Sequence, residues 1–140
     1  MPTETVSLPS KGLLYPKDSP LSKGEIEMKY MTAKEEDILT NANYIKDGSV
    51  LNRVMQSLIV TPVNFNDILV CDKNAILLGA RILGYGAEYP FRYFNPSTGA
   101  EETITVDLST LKEKKVDYSL FEEGKNEFPF TMPLSGNAVT

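Results

Sequence analysis

The apolar positions of this chain follow three rhythms in succession. Glu25 to Tyr30 alternates strictly, with Ile26, Met28 and Tyr30 on one face and Glu25, Glu27 and Lys29 on the other. A period of two belongs to a strand with one buried face. It predicts pairing with an earlier extended piece, Val6-Ser7-Leu8 or Leu13-Leu14-Tyr15, into a small N-terminal sheet. Residues 1–5 read as a loose terminus and Pro9-Ser10-Lys11-Gly12 as a turn. From Thr32 the period lengthens to that of a helix. Thr32-Ala33-Lys34-Glu35 is a capping box, opening a helix over residues 33–42 that buries Ile38 and Leu39, after which residues 43–48 turn the chain. Ser49 caps a second helix, on which Leu51, Val54, Met55 and Leu58 form an i, i+3, i+4, i+7 stripe. Pro62 stops it from running much further.

The third helix is the stretch the others are expected to pack around. Between Lys73 and Tyr85, Ile76, Ala80 and Leu83 fall on one stripe and Ala75, Leu78, Ile82 and Tyr85 on the next, interrupted only by Lys73, Asn74 and Arg81. Two such stripes cover most of a helical cylinder, which predicts a buried helix. It is shorter than the roughly 20 apolar residues that span a bilayer. Asp72 is placed to cap its start, and Gly84 and Gly86 to end it.

After Gly86 the period returns to two. Tyr89, Phe91 and Tyr93 share one face and Ile104, Val106 and Leu108 another, with Asn95-Pro96-Ser97-Thr98-Gly99 as a turn between them. The pattern predicts a β-hairpin, a helical turn at residues 111–115, and further strands at 116–120 and 127–131. Residues 137–140 look like the opening of another strand, so the chain reads as the N-terminal part of a longer protein. The expected fold class is α+β: a small N-terminal sheet, three helices around a buried one, then a hairpin and further strands. The expected organisation is one domain over residues 1–140, divided into a β arm (1–31), a helical core (32–86) and a β region (87–140).

Composition narrows the chemistry. With 41% hydrophobic and 24% charged residues the chain suits a globular protein. A net charge of −5 argues against a protein built to grip phosphates. There is no His and one Cys, which removes His bases, His ligands, Ser-His-Asp and Cys-His sites, disulfides within the chain and Cys-x-x-Cys metal sites. Neither a phosphate-binding loop nor a dinucleotide fingerprint is present, since Tyr89 stands where the third glycine would belong after Gly84 and Gly86. The sequence therefore points to a structural or interaction protein rather than an enzyme, with no catalytic, cofactor or metal residues assigned.

The remaining candidates each have two readings. Cys71, at the start of the third helix, is either a thiol activated by the helix dipole or, with no His as base, a small buried apolar residue. Arg81 on so apolar a helix should need a partner, since an unpaired buried charge is costly. Asp72 is about 13.5 Å away along the helix, so Glu35, Glu36 or Asp37 is the expected partner in a structural ion pair; an anion or a partner's carboxylate is the alternative. Glu35-Glu36-Asp37 diverge by about 100° per residue, so they read as a solvated first turn rather than a metal or acid–base cluster. Arg92, Tyr93 and Phe94 form a basic-aromatic word of the kind that stacks bases, or the core and rim of a sheet. Leu8, Pro9, Lys11, Gly12, Leu13 and Tyr15 make an apolar arm suited to contact another chain, Tyr being favoured at interfaces, although Tyr15 serves equally well as a local hydrophobic staple; the arm and the exposed hairpin edges are the expected docking elements.

The order of these words is itself informative. LPSKGLLYP, MTAKEEDILTN, a second short helix and ILVCDKNAILLGARILGYG followed by a hairpin together resemble the baseplate hub assembly protein family of T-even-like contractile-tailed bacteriophages. The resemblance runs from about Leu8 to Leu108. It implies a non-enzymatic viral tail protein, an assembly factor or chaperone that helps build the baseplate hub, with other hub proteins as partners. A homo-oligomer is left open, and no cofactor is implied. It implies residence in the host cytoplasm during assembly, or in the virion tail baseplate if the protein stays. Many members of that family carry a Cys-Pro-x-Cys-Gly knuckle in the hairpin turn. Here Asn95 and Thr98 replace the two thiols, so no zinc is expected. The competing reading is a nucleic-acid-binding module using the Arg92–Phe94 hairpin, which the acidic balance disfavours.

Overall fold

Ile26 and Met28 are the two apolar positions of the alternating stretch, and both are fully buried in the computed structural model, which describes residues 1–140. They lie on strand β2 (Glu25–Lys29), antiparallel to β1 (Thr3–Ser7), with Val6 opposite Ile26 and Glu4 opposite Met28. Residues 3–5, read from the sequence as a loose end, are therefore a strand, held to the edge of β2 through Glu4 opposite Met28. The other edge of β2 is covered too. Val60 N–H donates to Glu27 O at 2.9 Å, and Ile59 forms a bridge to Met28.

Four helices follow. The first predicted helix is α1 (Ala33–Thr40), and a further helix, α2 (Ala42–Asp47), occupies the stretch expected to be a turn. The Asn41 side chain accepts from the N–H groups of Asn43 and Tyr44, starting a helix where the sequence indicates a turn. In α3 (Val50–Leu58), Val54, Met55 and Leu58 are buried as the stripe predicts, while Leu51 stays exposed. Ser49 does not cap it; its hydroxyl accepts from Arg53 Nε instead.

Helix α4 (Val70–Tyr85) starts three residues earlier than predicted. Only Asp72, Ile76 and Ala80 on it are fully buried, one i, i+4, i+8 stripe. The neighbouring Ala75, Leu78 and Ile82 are half-buried and Tyr85 is exposed. The helix is thus packed on one side and open on the other. Its packed side accepts β1 closely because residue 79 is glycine: a Cβ there would lie 3.1 Å from Val6 Cγ2. No helix is long and apolar enough to cross a membrane.

Beyond α4 lie a long antiparallel ribbon, β3 (Glu88–Asn95) with β4 (Ala100–Asp107), and a small pair, β5 (Phe130–Thr131) with β6 (Ala138–Val139). The predicted strand at 116–120 is irregular and ends in a 3-10 turn, Tyr118–Leu120, started by the Asp117 side chain. The helical turn expected at 111–115 lies earlier, at Leu108–Thr110. The fold class is α+β, as the sequence indicates, in three two-stranded sheets and four helices. The twelve apolar core residues all come from Leu8 to Ala80, and nothing after Ala80 is fully buried.

Candidate interaction surfaces

The predicted docking arm is where the structure departs most from the sequence reading. Leu8 and Tyr15 are 0% and 3% exposed and belong to the core. Between them the chain makes a tight loop. Gly12 sits at φ 76° with a Cβ position only 2.3 Å from Ser22 O, so no other residue fits there. The loop closes over the Asp72 carboxyl group, which is fully buried. Asp72 accepts from Ser10 N–H at 3.0 Å, Ser10 Oγ at 2.7 Å and Tyr15 OH at 2.5 Å. Tyr15 OH in turn accepts from Leu69 N–H at 2.9 Å, next to the start of α4. Burial and the hydrogen bond to Asp72 push the Tyr15 phenol well above its usual range. Asp72 is therefore the clamp that ties the N-terminal loop to α4, not the cap expected from its position. Its partners lie 57 and 62 residues away in sequence, so no local pattern could reveal them.

The rest of the arm is occupied by the chain's own C-terminal segment. Lys11 Nζ lies 3.0 Å from Glu113 Oε2, Tyr118 OH donates to Pro9 O at 2.9 Å, and Gly124 N–H donates to Leu13 O at 2.7 Å. Beneath this strap is an apolar cavity of about 350 Å³, lined by Leu13, Leu14, Val116, Tyr118 and Phe121, with Cys71 at its edge. Leu8, Pro9, Lys11, Gly12, Leu13 and Tyr15 thus bind within the molecule rather than forming a free arm. Cys71 is exposed rather than buried. Partial burial and the adjacent Asp72 raise its thiol pKa, the opposite of an activated thiolate.

The expected ion pair of Arg81 with Glu35, Glu36 or Asp37 is not formed. Arg81 donates to Gly86 O at 2.9 Å and Glu88 O at 3.3 Å, and its guanidinium lies against the rings of Tyr85 and Tyr89. A half-exposed side chain on the open side of α4 needs no buried counter-charge, so the premise of a buried Arg81 fails. The buried charge in this region is Glu35, which is 0% exposed. It takes Lys29 Nζ at 2.8 Å, Ser57 Oγ at 2.5 Å and the N–H and hydroxyl of Thr32 at 3.0 and 2.6 Å. Burial alone would raise its pKa, but these donors together hold it down at about 2. Glu36 and Asp37 point to solvent, so the three acids diverge as their helical spacing requires.

The β3–β4 ribbon presents an uncovered apolar face. Tyr89 opposes Val106 and Phe91 opposes Ile104 across it. Tyr89 is 45% exposed, Phe91 39% and Ile104 39%. At the ribbon's tip Glu102 gathers Tyr93 OH, Asn95 Nδ2 and Thr98 Oγ1 within 2.8–3.1 Å. These hydrogen bonds lower the Glu102 pKa. The basic-aromatic word does not form one patch. Strand alternation puts Arg92 and Phe94 on the face opposite Tyr93, and Arg92 lies 3.7 Å from Glu101. Comparison of the chain with protein-family models, with curated proteins and with solved structures finds no match.

Proposed function

We propose that this chain is a non-enzymatic docking protein that takes part in assembling a phage tail baseplate hub, and that the β3–β4 ribbon is its principal contact surface. The observation that carries the reading is the ribbon itself. A two-stranded ribbon is marginally stable in water unless a hydrophobic face is covered. Here Tyr89, Phe91, Ile104 and Val106 lie side by side with only Arg81 and α4 near one end. A contiguous exposed apolar face rimmed by polar residues is what a partner surface provides for. The resemblance to baseplate hub assembly proteins supplies the class of partner, and the Glu102 clasp supplies a metal-free way of closing the turn where that family carries a thiolate knuckle. Of the two docking elements expected from the sequence, the N-terminal arm and the hairpin edges, the ribbon is the one this proposal keeps, because the arm is consumed by the core and by the strap.

The test is light scattering on a sizing column, with the chain alone and mixed with each other hub protein of its phage. The reading predicts a complex with at least one of them, weakened tenfold or more by Phe91→Ser with Ile104→Ser. Both side chains are exposed, so the double variant should keep the fold. No complex with any hub protein, or a complex indifferent to the double variant, overturns it.

A further inference from the structure

A second uncovered surface lies at β1. The hydrogen bonds that flank β2 fix which backbone groups point where. Leu8 N–H donates to Gly24 O at 2.8 Å, and Val60 N–H donates to Glu27 O at 2.9 Å. In an antiparallel pair the residues alternate between facing the partner strand and facing away. The even residues of β1, Glu4 and Val6, therefore exchange hydrogen bonds with Met28 and Ile26, while Thr3, Thr5 and Ser7 turn their N–H and C=O groups to the outer edge. β2 is closed on its far side by residues 59–61, but β1 has no strand on its outer side. Such an edge is a template for another strand.

Beside that edge runs an open groove of about 490 Å³, formed by β1, by Ala75, Leu78 and Ile82 of α4, and by Leu111 at its rim. These are the α4 residues that the sequence predicts to be buried and that the fold leaves half-exposed. We propose that the groove and the β1 edge are a single self-association surface, and that two copies of this chain pair antiparallel through β1 about a two-fold axis at Thr5. One operation then covers both features: β1 and β2 of each copy make a four-stranded sheet, and the two Ala75–Leu78–Ile82 stripes meet beneath it. A two-fold contact requires a patch complementary to itself, and β1 meets that condition in one register. With Thr5 opposite Thr5, Thr3 faces Ser7 and Glu4 faces Val6, so all five residues pair and no like charges oppose. A shift one way sets Glu4 against Glu4, which is destabilising. A shift the other way carries Thr3 and Glu4 past the end of the partner strand.

Charge also selects a second copy here and not at the ribbon. The charged residues lining the groove are Glu4, Lys112 and Glu113, and Glu113 is already paired with Lys11. The ribbon carries Glu88, Glu101, Glu102 and Asp107 against Arg92 alone, so two ribbons would repel each other while two β1 edges would not. This inference does not depend on the docking role of the ribbon.

The test is the mass of the full chain in solution at about 100 µM, a concentration that populates a micromolar dimer. Two substitutions on different elements accompany it. Thr5→Pro removes an outward N–H without touching the bonds to β2, and Leu78→Glu places a charge in the groove. Circular dichroism and thermal melting establish that each variant is folded. The expected wild-type mass is twice 15.6 kDa, with self-association weakened tenfold or more in each folded variant and unchanged by Phe91→Ser with Ile104→Ser. A wild-type monomer, a mass other than the dimer's, a dimer that survives both β1 and groove substitutions, or one dissolved by the ribbon substitutions overturns the proposal.

Discussion

At the scale of single residues, the chain is organised by two buried carboxyl groups that a composition-based reading treats as surface. Asp72 holds the N-terminal loop and Glu35 holds the junction of β2, α1 and α3. Both are fully buried and fully supplied with donors, which is the condition under which such groups are tolerated. Glu35 was half legible. Its spacing from Thr32 gives the capping box, but Lys29 and Ser57 reach it only after β2 and α3 have packed. The sign of its linkage follows from its lowered pKa. The folded form holds the carboxylate at about 2, below its ordinary value of 4.5. Its contribution to stability is therefore complete above pH 4.5 and is lost as pH falls toward 2. Glu35→Gln should cost about 1.5–3 kcal/mol at pH 7, the worth of hydrogen bonds to a charged group. The variant should also lose less stability than the wild type between pH 4.5 and 2, so that the two unfolding curves converge. Urea titrations at pH 7, 4.5 and 2.5 check this, and curves that stay parallel would show that Glu35 is not the titrating element.

At the scale of elements, period decided what could be read. The alternation of Glu25–Lys29, the stripe Val54-Met55-Leu58 and the hairpin about Asn95–Gly99 all fold as their spacing indicates. The misses have local physical causes. A helix replaces the turn expected at residues 43–48 because the Asn41 side chain caps it, accepting from two free amides. α4 has apolar residues on nearly all sides, yet one side lies open, because periodicity reports what a helix can bury and not how much of the chain arrives to cover it. The strap of residues 111–124 has no period at all, so its tie to Pro9, Lys11 and Leu13 left no trace in the pattern. The contact between β1 and α4, by contrast, rests on one small residue. Gly79→Val would place side-chain atoms where Val6 now packs 3.1 Å from a bare Cβ position, forcing β1 off the helix at a cost of about 1–3 kcal/mol, typical of overpacking. Thermal melting should record the loss, and Gly86→Ala is no substitute as a control because Gly86 holds φ 82°. An unchanged melting temperature would mean that β1 does not depend on this approach.

At the scale of the whole molecule, the distribution of burial is uneven in a way that bears on function. Only 16 of 140 residues are buried, and all lie before Arg81. The β3–β4 ribbon and the β5–β6 pair are attached to a core to which they contribute no fully buried side chain, so their amides should open at low free energy in the isolated chain. Under the proposed function this is the layout of a contact protein, a small core that carries uncovered surfaces to other subunits. Hydrogen exchange across the full chain, free and in the hub-protein complex that the proposal predicts, tests that claim most directly. The prediction is fast exchange over Glu88–Asp107 in the free chain and marked slowing there in the complex. A complex in which those amides exchange as fast as before, with protection falling elsewhere, would contradict it.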